Sequence, residues 1–319
     1  MTAESDIILD VKNLKRYYPI KSGLFGRQTG VAKVLDGITF QVKRRETLGI
    51  AGESGSGKTV LLRTLLRLIE PTAGSVSFEG RDLQTIKGEE MRIVRRQMQI
   101  IFQDPVGSLH PRMTIAQTLS EPFIIHKVGN KDEREERVKQ LLSLVGLNPE
   151  WRSRYPHQFS GGQRQRIGVA RALALNPKLI LADEPVSALD VSLQAQVLNL
   201  FLDLQDEFKL TYVFVAHDLA VLRQICDRIA IILHGRLVEI ANADAIYENP
   251  IHPYTQVLLA SSPSIEAGLR EADAASLAAG KASQEMFRRV TSQATSDSAD
   301  LIEVEPGHWV SAFSADSPN

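Results

Sequence analysis

The octapeptide GESGSGKT, from Gly52 to Thr59, decides the fold of this chain. It fits the phosphate-binding loop pattern G-x-x-x-x-G-K-[ST], in which backbone N–H groups surround a phosphate and the lysine reaches the β- and γ-phosphates. An apolar run at residues 46–51 predicts a buried strand before the loop, and leucines at helical spacing in residues 60–69 predict a helix after it. Because this chemistry requires a strand, a glycine-rich turn and a helix N-terminus in that order, a nucleotide site is a better interpretation than a turn that binds nothing.

Length and composition limit the other possibilities. The chain has 319 residues and is 43% apolar, which suffices for one large domain or two smaller ones. Its 37 basic and 38 acidic residues nearly cancel, so we expect no nucleic acid partner. The one cysteine, Cys226, excludes an intrachain disulfide. The start of the sequence lacks a secretory-signal pattern, and no apolar run approaches the ~18 residues of a bilayer span. If the protein acts at a membrane, we expect it to be bound at the membrane surface by partner proteins.

Residue patterns outside the loop predict an antiparallel β layer and an α/β core. Weak alternation of apolar and polar residues at 7–14 predicts an edge strand, and clearer alternation at 34–42 predicts a second strand. The stretch at 21–30 between them is rich in glycine and basic residues, which predicts a loop. Apolar strands that end in polar residues alternate with helices, as a mainly parallel sheet requires. These strands are predicted at residues 98–102, 178–182, 211–216 and 229–233.

The middle and the end of the chain differ from this pattern. Residues from about 105 to 160 are helix-rich, with the clearest helix at 131–147. Beyond residue 263 the composition shifts to Ala, Ser, Asp and Glu, which predicts a surface helix at 265–279 and a loose linker at 291–300.

A carboxylate pair follows one of the predicted strands. Asp183 ends that strand, where a phosphate-loop fold places the aspartate associated with Mg²⁺. Glu184 comes next and can polarise an attacking water, which makes the predicted reaction a hydrolysis. An acidic turn without function is the alternative, and Lys58 in the same chain makes it the weaker one.

A second glycine-containing loop decides the class of protein. The sequence FSGGQ, residues 159–163, places a hydroxyl and two glycines at the start of a predicted helix, which is a second anion-binding arrangement. With both loops, the chain resembles the ATP-binding subunits of ABC transporters. In that family the second loop closes over the nucleotide that the other subunit holds.

The resemblance implies a set of site residues. Gln103 matches the glutamine that contacts Mg²⁺, water and the membrane partner, Asp190 in SALD matches the loop that crosses the dimer interface, and His217 matches the histidine on the γ-phosphate. Tyr18 fits the aromatic that stacks on adenine, with Tyr17 as a close rival. The implied catalytic residues are Glu184, His217 and Gln103, and the implied Mg²⁺ ligands are Thr59, Gln103 and Asp183. The implied nucleotide contacts are Tyr18, Gly52, Glu53, Ser54, Gly55, Ser56, Gly57, Lys58, Thr59, Val60, Ser160, Gly161, Gly162, Gln163 and Asp190.

The stretch NPIHPYTQVLLASSP, residues 249–263, narrows the resemblance to the oligopeptide/dipeptide/nickel importer branch. It implies a phosphate-loop NTPase (RecA-like) α/β core with an antiparallel β subdomain and an inserted α-helical subdomain. The ATP-binding domain is expected at residues 7–262, with its helical part at about 105–160, and a partly flexible extension at 263–319. EPGHWV, residues 305–310, is similar to the ending of that branch. Many members carry a cysteine cluster after HPYT, and because this chain does not, no iron–sulfur centre is expected. Many also carry a second hydroxyl residue where Val60 stands, near the α-phosphate, so only the backbone N–H of Val60 is expected to make that contact here.

The resemblance implies an ATPase that uses ATP and Mg²⁺ to energise import of di- or oligopeptides or a related solute. The implied partners are a second ATP-binding subunit in a heterodimer, two membrane permease subunits and an extracytoplasmic solute-binding protein, at the cytoplasmic face of the plasma membrane. A groove near residues 103–113, with Val106 and Leu109, is expected to receive a short permease helix. The alternatives are a soluble ABC ATPase, which usually has two cassettes or a coiled-coil insertion, and a regulatory subunit that binds ATP without hydrolysis, which Glu184 and His217 disfavour.

Overall fold

The computed structural model describes residues 6–22, 27–104, 107–260, 287 and 301–312. Its contacts divide the chain into two compact units. The first unit comprises Met1–Thr85 and Phe214–Asn319, and the second comprises Ile86–Val213. None of the helices in the described ranges has the length and apolar content that a membrane span requires.

The described elements alternate in type along most of the chain. The strands are β1 (Ile7–Ser22), β2 (Arg27–Lys43), β3 (Thr47–Ala51), β4 (Ala73–Phe78), β5 (Arg81–Asp82), β6 (Met98–Ile101), β7 (Leu179–Asp183), β8 (Thr211–Ala216), β9 (Arg228–Leu233), β10 (Arg236–Asn242), β11 (Leu301–Glu305) and β12 (His308–Ser311). The α-helices are α1 (Lys58–Leu65), α2 (Gly88–Gln97), α3 (Ile115–Ile125), α4 (Lys131–Leu144), α5 (Gly161–Leu173), α6 (Val191–Phe208), α7 (Leu219–Ile225), α8 (Ala243–Glu248) and α9 (Pro253–Ala260).

An antiparallel sheet with the order β2-β1-β4-β5 opens the first unit. The prediction of an edge strand at residues 7–14 is wrong, because β1 pairs with both β2 and β4. The predicted loop at 21–30 is also too long: β1 continues to Ser22 and β2 begins at Arg27. Tyr and Ile side chains favour extended backbone, and they extend the pairing through the glycine-containing stretch, where Ile20 lies opposite Gly30.

A second sheet in the first unit contains neighbouring strands in the order β11-β12-β10-β9-β3. Strand β3 pairs in parallel with β9, as the apolar runs predicted, and β10 returns antiparallel to β9. All five residues of β3 are buried. Gly49 is required within β3, because a Cβ there would lie 2.8 Å from Cys226 Sγ. This buried strand carries the phosphate loop at its end.

The hairpin of β11 and β12 was not predicted. The hairpin joins the sheet because β12 pairs antiparallel with β10, with Glu239 opposite Val310 and Ile240 opposite Trp309. Strand β11 has five residues and β12 has four, and β12 pairs with β10 about 70 positions earlier, so no local pattern indicates the pairing. The predicted helix at 265–279 and the predicted linker at 291–300 lie outside the described residues.

The second unit contains the parallel pair β6 and β7, with Met98 opposite Leu179, and the helices α2 to α6. Helix α4 begins at Lys131 as predicted, with Asn130 and Glu133 forming a capping box. It ends at Leu144, three residues earlier than predicted, and Gly146 follows with a φ of 69°. Helix α3 and two 3₁₀ turns, Pro149–Ser153 and Pro156–Gln158, fill the rest of the region predicted as helix-rich.

Candidate functional site

The loop between β3 and α1 needs glycine at two positions. A Cβ on Gly52 would lie 2.3 Å from Ile232 O. Gly57 has a φ of 108°, and a Cβ there would lie 2.6 Å from Val34 O. Because neighbouring backbone presses against the loop at both points, any side chain at Gly52 or Gly57 would force the loop out of this shape.

Lys58 is held at the inner side of the loop. Its side chain is 5% exposed, and Nζ donates to Gly52 O at 2.6 Å and to Glu53 O at 2.8 Å. Lys58, Thr59 and Val60 form the first turn of α1, directly after the loop. A buried ammonium beside a helix N-terminus is a suitable partner for phosphate oxygens. Helix α1 ends at Leu65, earlier than the sequence predicted, and Arg67 has a φ of 49°.

The residues present fit a phosphate group. Ser56 is 6% exposed, and its Oγ has no hydrogen-bond partner among the residues that the structure describes. A Cβ on Gly55 would meet no atom within 4 Å, so space is open beside the middle of the loop. A buried polar atom without a partner is costly, and a phosphate oxygen can satisfy it. Glu53, Ser54 and Gly55 are all exposed.

Tyr17 and Tyr18 have different partners. The Tyr17 hydroxyl donates to Asp36, which also accepts from Arg236 Nη2 at 2.6 Å. Burial, followed by this hydrogen bond to Asp36, raises the pKa of Tyr17 to about 12. The ring of Tyr18 instead has the Arg16 guanidinium 4.3 Å from its centroid. Since Tyr17 belongs to a polar network, Tyr18 is the better candidate for stacking on a flat ligand.

His217 directly follows the last residue of β8 and is exposed. The next residue, Asp218, caps helix α7, because its Oδ1 accepts from Ala220 N at 2.9 Å. His217 is therefore presented in a short turn between a buried strand and a capped helix. A position at the end of a core strand is typical of residues that contact ligands in α/β proteins.

In the second unit the structure brings two predicted catalytic residues together. Asp183 is the last residue of β7 and is 2% exposed. Glu184 follows with a φ of 44°, a conformation that non-glycine residues seldom adopt. Gln103 Nε2 donates to Glu184 Oε2 at 3.0 Å, although the two residues are 81 positions apart. An amide that holds a carboxylate can keep it oriented for polarising a water.

The FSGGQ loop forms the N-terminus of α5. Ser160 Oγ accepts from Gln163 N at 3.3 Å, and Gln163 Oε1 accepts from Ser160 N at 3.0 Å, so the two residues form a capping box. The Ser160 hydroxyl retains its own proton for donation to a ligand. Gly161 is exposed, whereas Gly162 is buried and a Cβ there would lie 3.3 Å from Leu193.

Asp190 caps the next helix along the chain, α6. Its Oδ1 accepts from Leu193 N at 2.9 Å. Because the Leu193 side chain lies 3.3 Å from the position that a Cβ on Gly162 would take, the SALD segment and the FSGGQ loop lie side by side within the second unit. The sequence predicted both loops, and only the structure shows that they are neighbours.

The predicted docking groove needs a correction. Leu109 is 1% exposed, so its side chain packs inside the second unit and does not line a surface. Apolar side chains in a short irregular segment can serve either role, and exposure could not be read from the pattern. Val106 lies outside the described residues. Among the described residues of this segment, those that are exposed are Gln103, Asp104, Gly107, His110, Pro111 and Arg112.

Sequence reasoning missed one contact of the phosphate loop. The Glu53 N–H donates to the Tyr254 hydroxyl at 3.1 Å, across 201 positions in the chain. Tyr254 belongs to the HPYT segment, which served only as a mark of resemblance. Its separation from the loop in sequence is too large for any local pattern to indicate the contact.

Comparison with known proteins finds relatives over most of the chain. Residues 35–187 match the family described as ABC transporter, and residues 238–285 match the family described as oligopeptide/dipeptide transporter, C-terminal region. The oligopeptide transport ATP-binding protein AppF of Bacillus subtilis (strain 168) is 52% identical over 262 residues, which are 82% of this chain and 80% of AppF. The di/tripeptide transport ATP-binding protein DppF of Pseudomonas aeruginosa (strain UCBPP-PA14) is 46% identical over 260 residues, covering 82% of this chain and 80% of DppF.

Solved structures confirm the predicted fold class. The dimeric structure of MJ0796, described as a bacterial ABC transporter cassette, matches with a TM-score of 0.66 and 30% identity, covering 74% of this chain and 99% of the cassette. CbiO1 from Clostridium perfringens, described as part of the ABC transporter complex cbiONQ, matches with a TM-score of 0.67 and 24% identity, covering 83% of this chain and 100% of CbiO1. The second likeness concerns the fold alone.

Proposed function

Since the chain belongs to the ATP-binding proteins of the ABC transporter family, we propose that it hydrolyses ATP to energise import of di- or oligopeptides or a related solute. The observation that carries this proposal is the match of residues 238–285 to the oligopeptide/dipeptide transporter C-terminal region, in the same chain as the phosphate loop. The relatives AppF and DppF are named for oligopeptide and di/tripeptide transport. ATP is the proposed substrate, and a peptide is the proposed cargo of the whole transporter.

Local geometry supports the roles proposed for Lys58 and Glu184, and the family resemblance supports those proposed for His217 and Tyr18. Lys58 binds the β- and γ-phosphates, because its ammonium already lies over the loop carbonyls. Glu184 polarises the attacking water, with its carboxylate oriented by Gln103. His217 contacts the γ-phosphate, and Tyr18 stacks on the adenine. The loop residues from Gly52 to Val60 supply the remaining contacts to the phosphates.

Mg²⁺, when bound, would neutralise charge on the phosphate oxygens. We propose Thr59, Gln103 and Asp183 as the residues that hold it. Hydroxyl, amide and carboxylate oxygens are the donors that this cation prefers, so the residue types fit. Asp183 is buried at the end of β7, which keeps one carboxylate fixed for this role.

We further propose that the FSGGQ loop and Asp190 act on a nucleotide held by a second ATP-binding subunit, in a heterodimer. Two permease subunits and an extracytoplasmic solute-binding protein complete the proposed transporter, with this chain at the cytoplasmic face of the plasma membrane. The ATP-binding domain in this proposal is residues 7–262, including a helical part at about 105–160. Residues 263–319 are its C-terminal extension.

Purification from detergent-solubilised membranes tests this function. We expect a tagged chain to retain two permease subunits and a second ATP-binding subunit, and the complex to hydrolyse ATP faster when a peptide-loaded binding protein is added. Lys58→Ala in the same complex is the control for hydrolysis at this site. A chain that hydrolyses ATP but retains no membrane protein would instead support a soluble ABC ATPase.

A further inference from the structure

The phosphate loop is held from outside by Tyr254, a residue about 200 positions later in the chain. The Glu53 N–H donates to the Tyr254 hydroxyl at 3.1 Å, and the Gly52 and Glu53 carbonyls accept from Lys58 Nζ at 2.6 and 2.8 Å. The Gly52–Glu53 segment is therefore held on one side by Tyr254 and on the other by Lys58. A change on the Tyr254 side is expected to move the carbonyls that orient the Lys58 ammonium.

Tyr254 is itself held by the residues that precede it. It lies in the first turn of α9, and its N–H donates to His252 Nδ1 at 3.1 Å. The N–H groups of Ile251 and His252 both donate to the carboxylate of Glu239, at 2.8 and 3.1 Å. Glu239 on β10 is fully buried, so these two bonds set the position of the turn that leads into α9.

The third contact of Glu239 comes from the C-terminal hairpin. His308 on β12 is 3% exposed, and its Nε2 lies 2.7 Å from Glu239 Oε1. Two positions further on, Val310 is fully buried and packs in one cluster with Ile251. A buried carboxylate is tolerated only when its oxygens are satisfied, and one of its three described partners is supplied by this hairpin.

We propose that Tyr254 is a positioning residue of the nucleotide site, and that β12 keeps it in place through Glu239. The inference rests on the proposed function, because it needs the loop to hold a nucleotide phosphate. The contacts run without a break from His308 to Glu239, to His252, to Tyr254 and to the loop. The hydroxyl of Tyr254 thus makes the C-terminal region part of the machinery that binds ATP.

Removal of one hydroxyl tests the inference directly. We expect Tyr254→Phe to raise the Kd of the full chain for a non-hydrolysable ATP analogue with Mg²⁺ by about 3- to 10-fold, as loss of one hydrogen bond predicts. Isothermal titration calorimetry measures the Kd, and thermal unfolding without nucleotide measures stability. Tyr212→Phe is the matched control, because its hydroxyl donates to Phe201 O inside the second unit and its loss should lower stability with little change in Kd.

The contacts that link β12 to Tyr254 through Glu239 are tested with two variants of His308. His308→Leu removes the donor to Glu239 and should raise the Kd in the same direction as Tyr254→Phe. His308→Gln keeps an N–H donor of similar reach and should restore the Kd to within about 2-fold of the unchanged protein. If His308→Leu does not fold, His308→Asn, whose shorter amide does not reach Glu239, takes its place. A Kd for the folded loss variant equal to that of His308→Gln would overturn the role of His308.

The Lys58→Ala variant distinguishes failure of the role proposed for Tyr254 from failure of the proposed nucleotide site. If the unchanged chain binds the analogue and Lys58→Ala weakens binding by about 10-fold or more, the nucleotide site stands. An unaltered Kd in Tyr254→Phe would then overturn the positioning role alone. Equal rises of Kd in Tyr254→Phe and Tyr212→Phe would also overturn it, because they would show a general loss of stability. If the unchanged chain binds no analogue, the proposed function and this inference both fail.

Discussion

Glu184 combines two properties that single out its carboxylate. Its φ of 44° turns the backbone sharply after β7, and Gln103 donates to its Oε2 at 3.0 Å. A non-glycine residue at positive φ is strained, and such strain persists where the surrounding structure maintains it. The result is a carboxylate whose orientation is set by a second side chain.

Replacement of Glu184 by Gln should separate binding from hydrolysis. The amide keeps the size of the side chain but removes the charge that we propose polarises water, so we expect ATP hydrolysis to fall by about 100-fold or more while ATP binding persists. Steady-state turnover and nucleotide binding by the purified transporter measure the two effects. Turnover close to that of the unchanged complex would show that another group acts as the base of the dominant site.

Lys58→Ala and Ser160→Arg should affect the isolated chain differently. The first removes a buried ammonium from the phosphate loop and should weaken ATP binding by about 10-fold or more. The second blocks a surface proposed to contact a partner's nucleotide, and it also removes the cap of α5, at a cost of about 1 kcal/mol in stability. Ser160→Ala is the control for the lost cap. Equal losses of ATP affinity in the Lys58 and Ser160 variants would argue against a role of this loop across the interface.

At the scale of elements, buried apolar runs were predicted well, and features that depend on a distant pairing partner were not. The strands β3, β7, β8 and β9 are continuous apolar segments between turn residues, and their positions could be predicted from sequence because burial on both faces leaves such a pattern. The length of β1 and β2 and the hairpin of β11 and β12 depend on pairing partners. Pairing between distant segments leaves no local signal, so these elements could not be predicted.

The same distinction applies to the candidate site. The phosphate loop, Glu184 and the FSGGQ loop were predicted, because each is a short motif with its chemistry in adjacent residues. The contact of Gln103 with Glu184 and the contact of Tyr254 with Glu53 join residues that are 81 and 201 positions apart. Such contacts depend on the fold as a whole and could be found only in the structure.

Two glycines of the phosphate loop, Gly57 and Gly55, should differ in how much stability is lost when each is replaced by alanine. Gly57→Ala places a Cβ 2.6 Å from Val34 O at a φ of 108°, and should lower the free energy of unfolding by more than about 2 kcal/mol. Gly55→Ala has a φ of 83° but its Cβ meets no atom within 4 Å, so only about 1 kcal/mol of backbone strain is expected. Urea unfolding measures both. A larger loss in Gly55→Ala than in Gly57→Ala would contradict the packing described for this loop.

At the scale of the whole molecule, the exposed residues after Gln103 are the best place to test contact with a permease. Single cysteines at His110 and Arg112 should form cross-links to a permease loop in the assembled transporter, because both side chains are exposed. Cys226 is an internal control: it is 7% exposed, and burial followed by the neighbouring Asp227 raises the pKa of its thiol, so it should stay unreactive. Cross-links from Cys226 but not from the introduced cysteines would place the docking site elsewhere.

The first unit is assembled from both ends of the chain, which affects its order of synthesis. Its two parts, Met1–Thr85 and Phe214–Asn319, are separated by the whole of the second unit. On a ribosome that adds about 5–20 residues per second, the phosphate loop emerges roughly 10–40 seconds before Tyr254. During that interval β3 lacks β9, and the Glu53 N–H lacks its hydroxyl partner. A nascent chain therefore carries its ATP motif unfinished until the C-terminal part is made, and stalled fragments that end before β9 should be cleaved by protease within the loop.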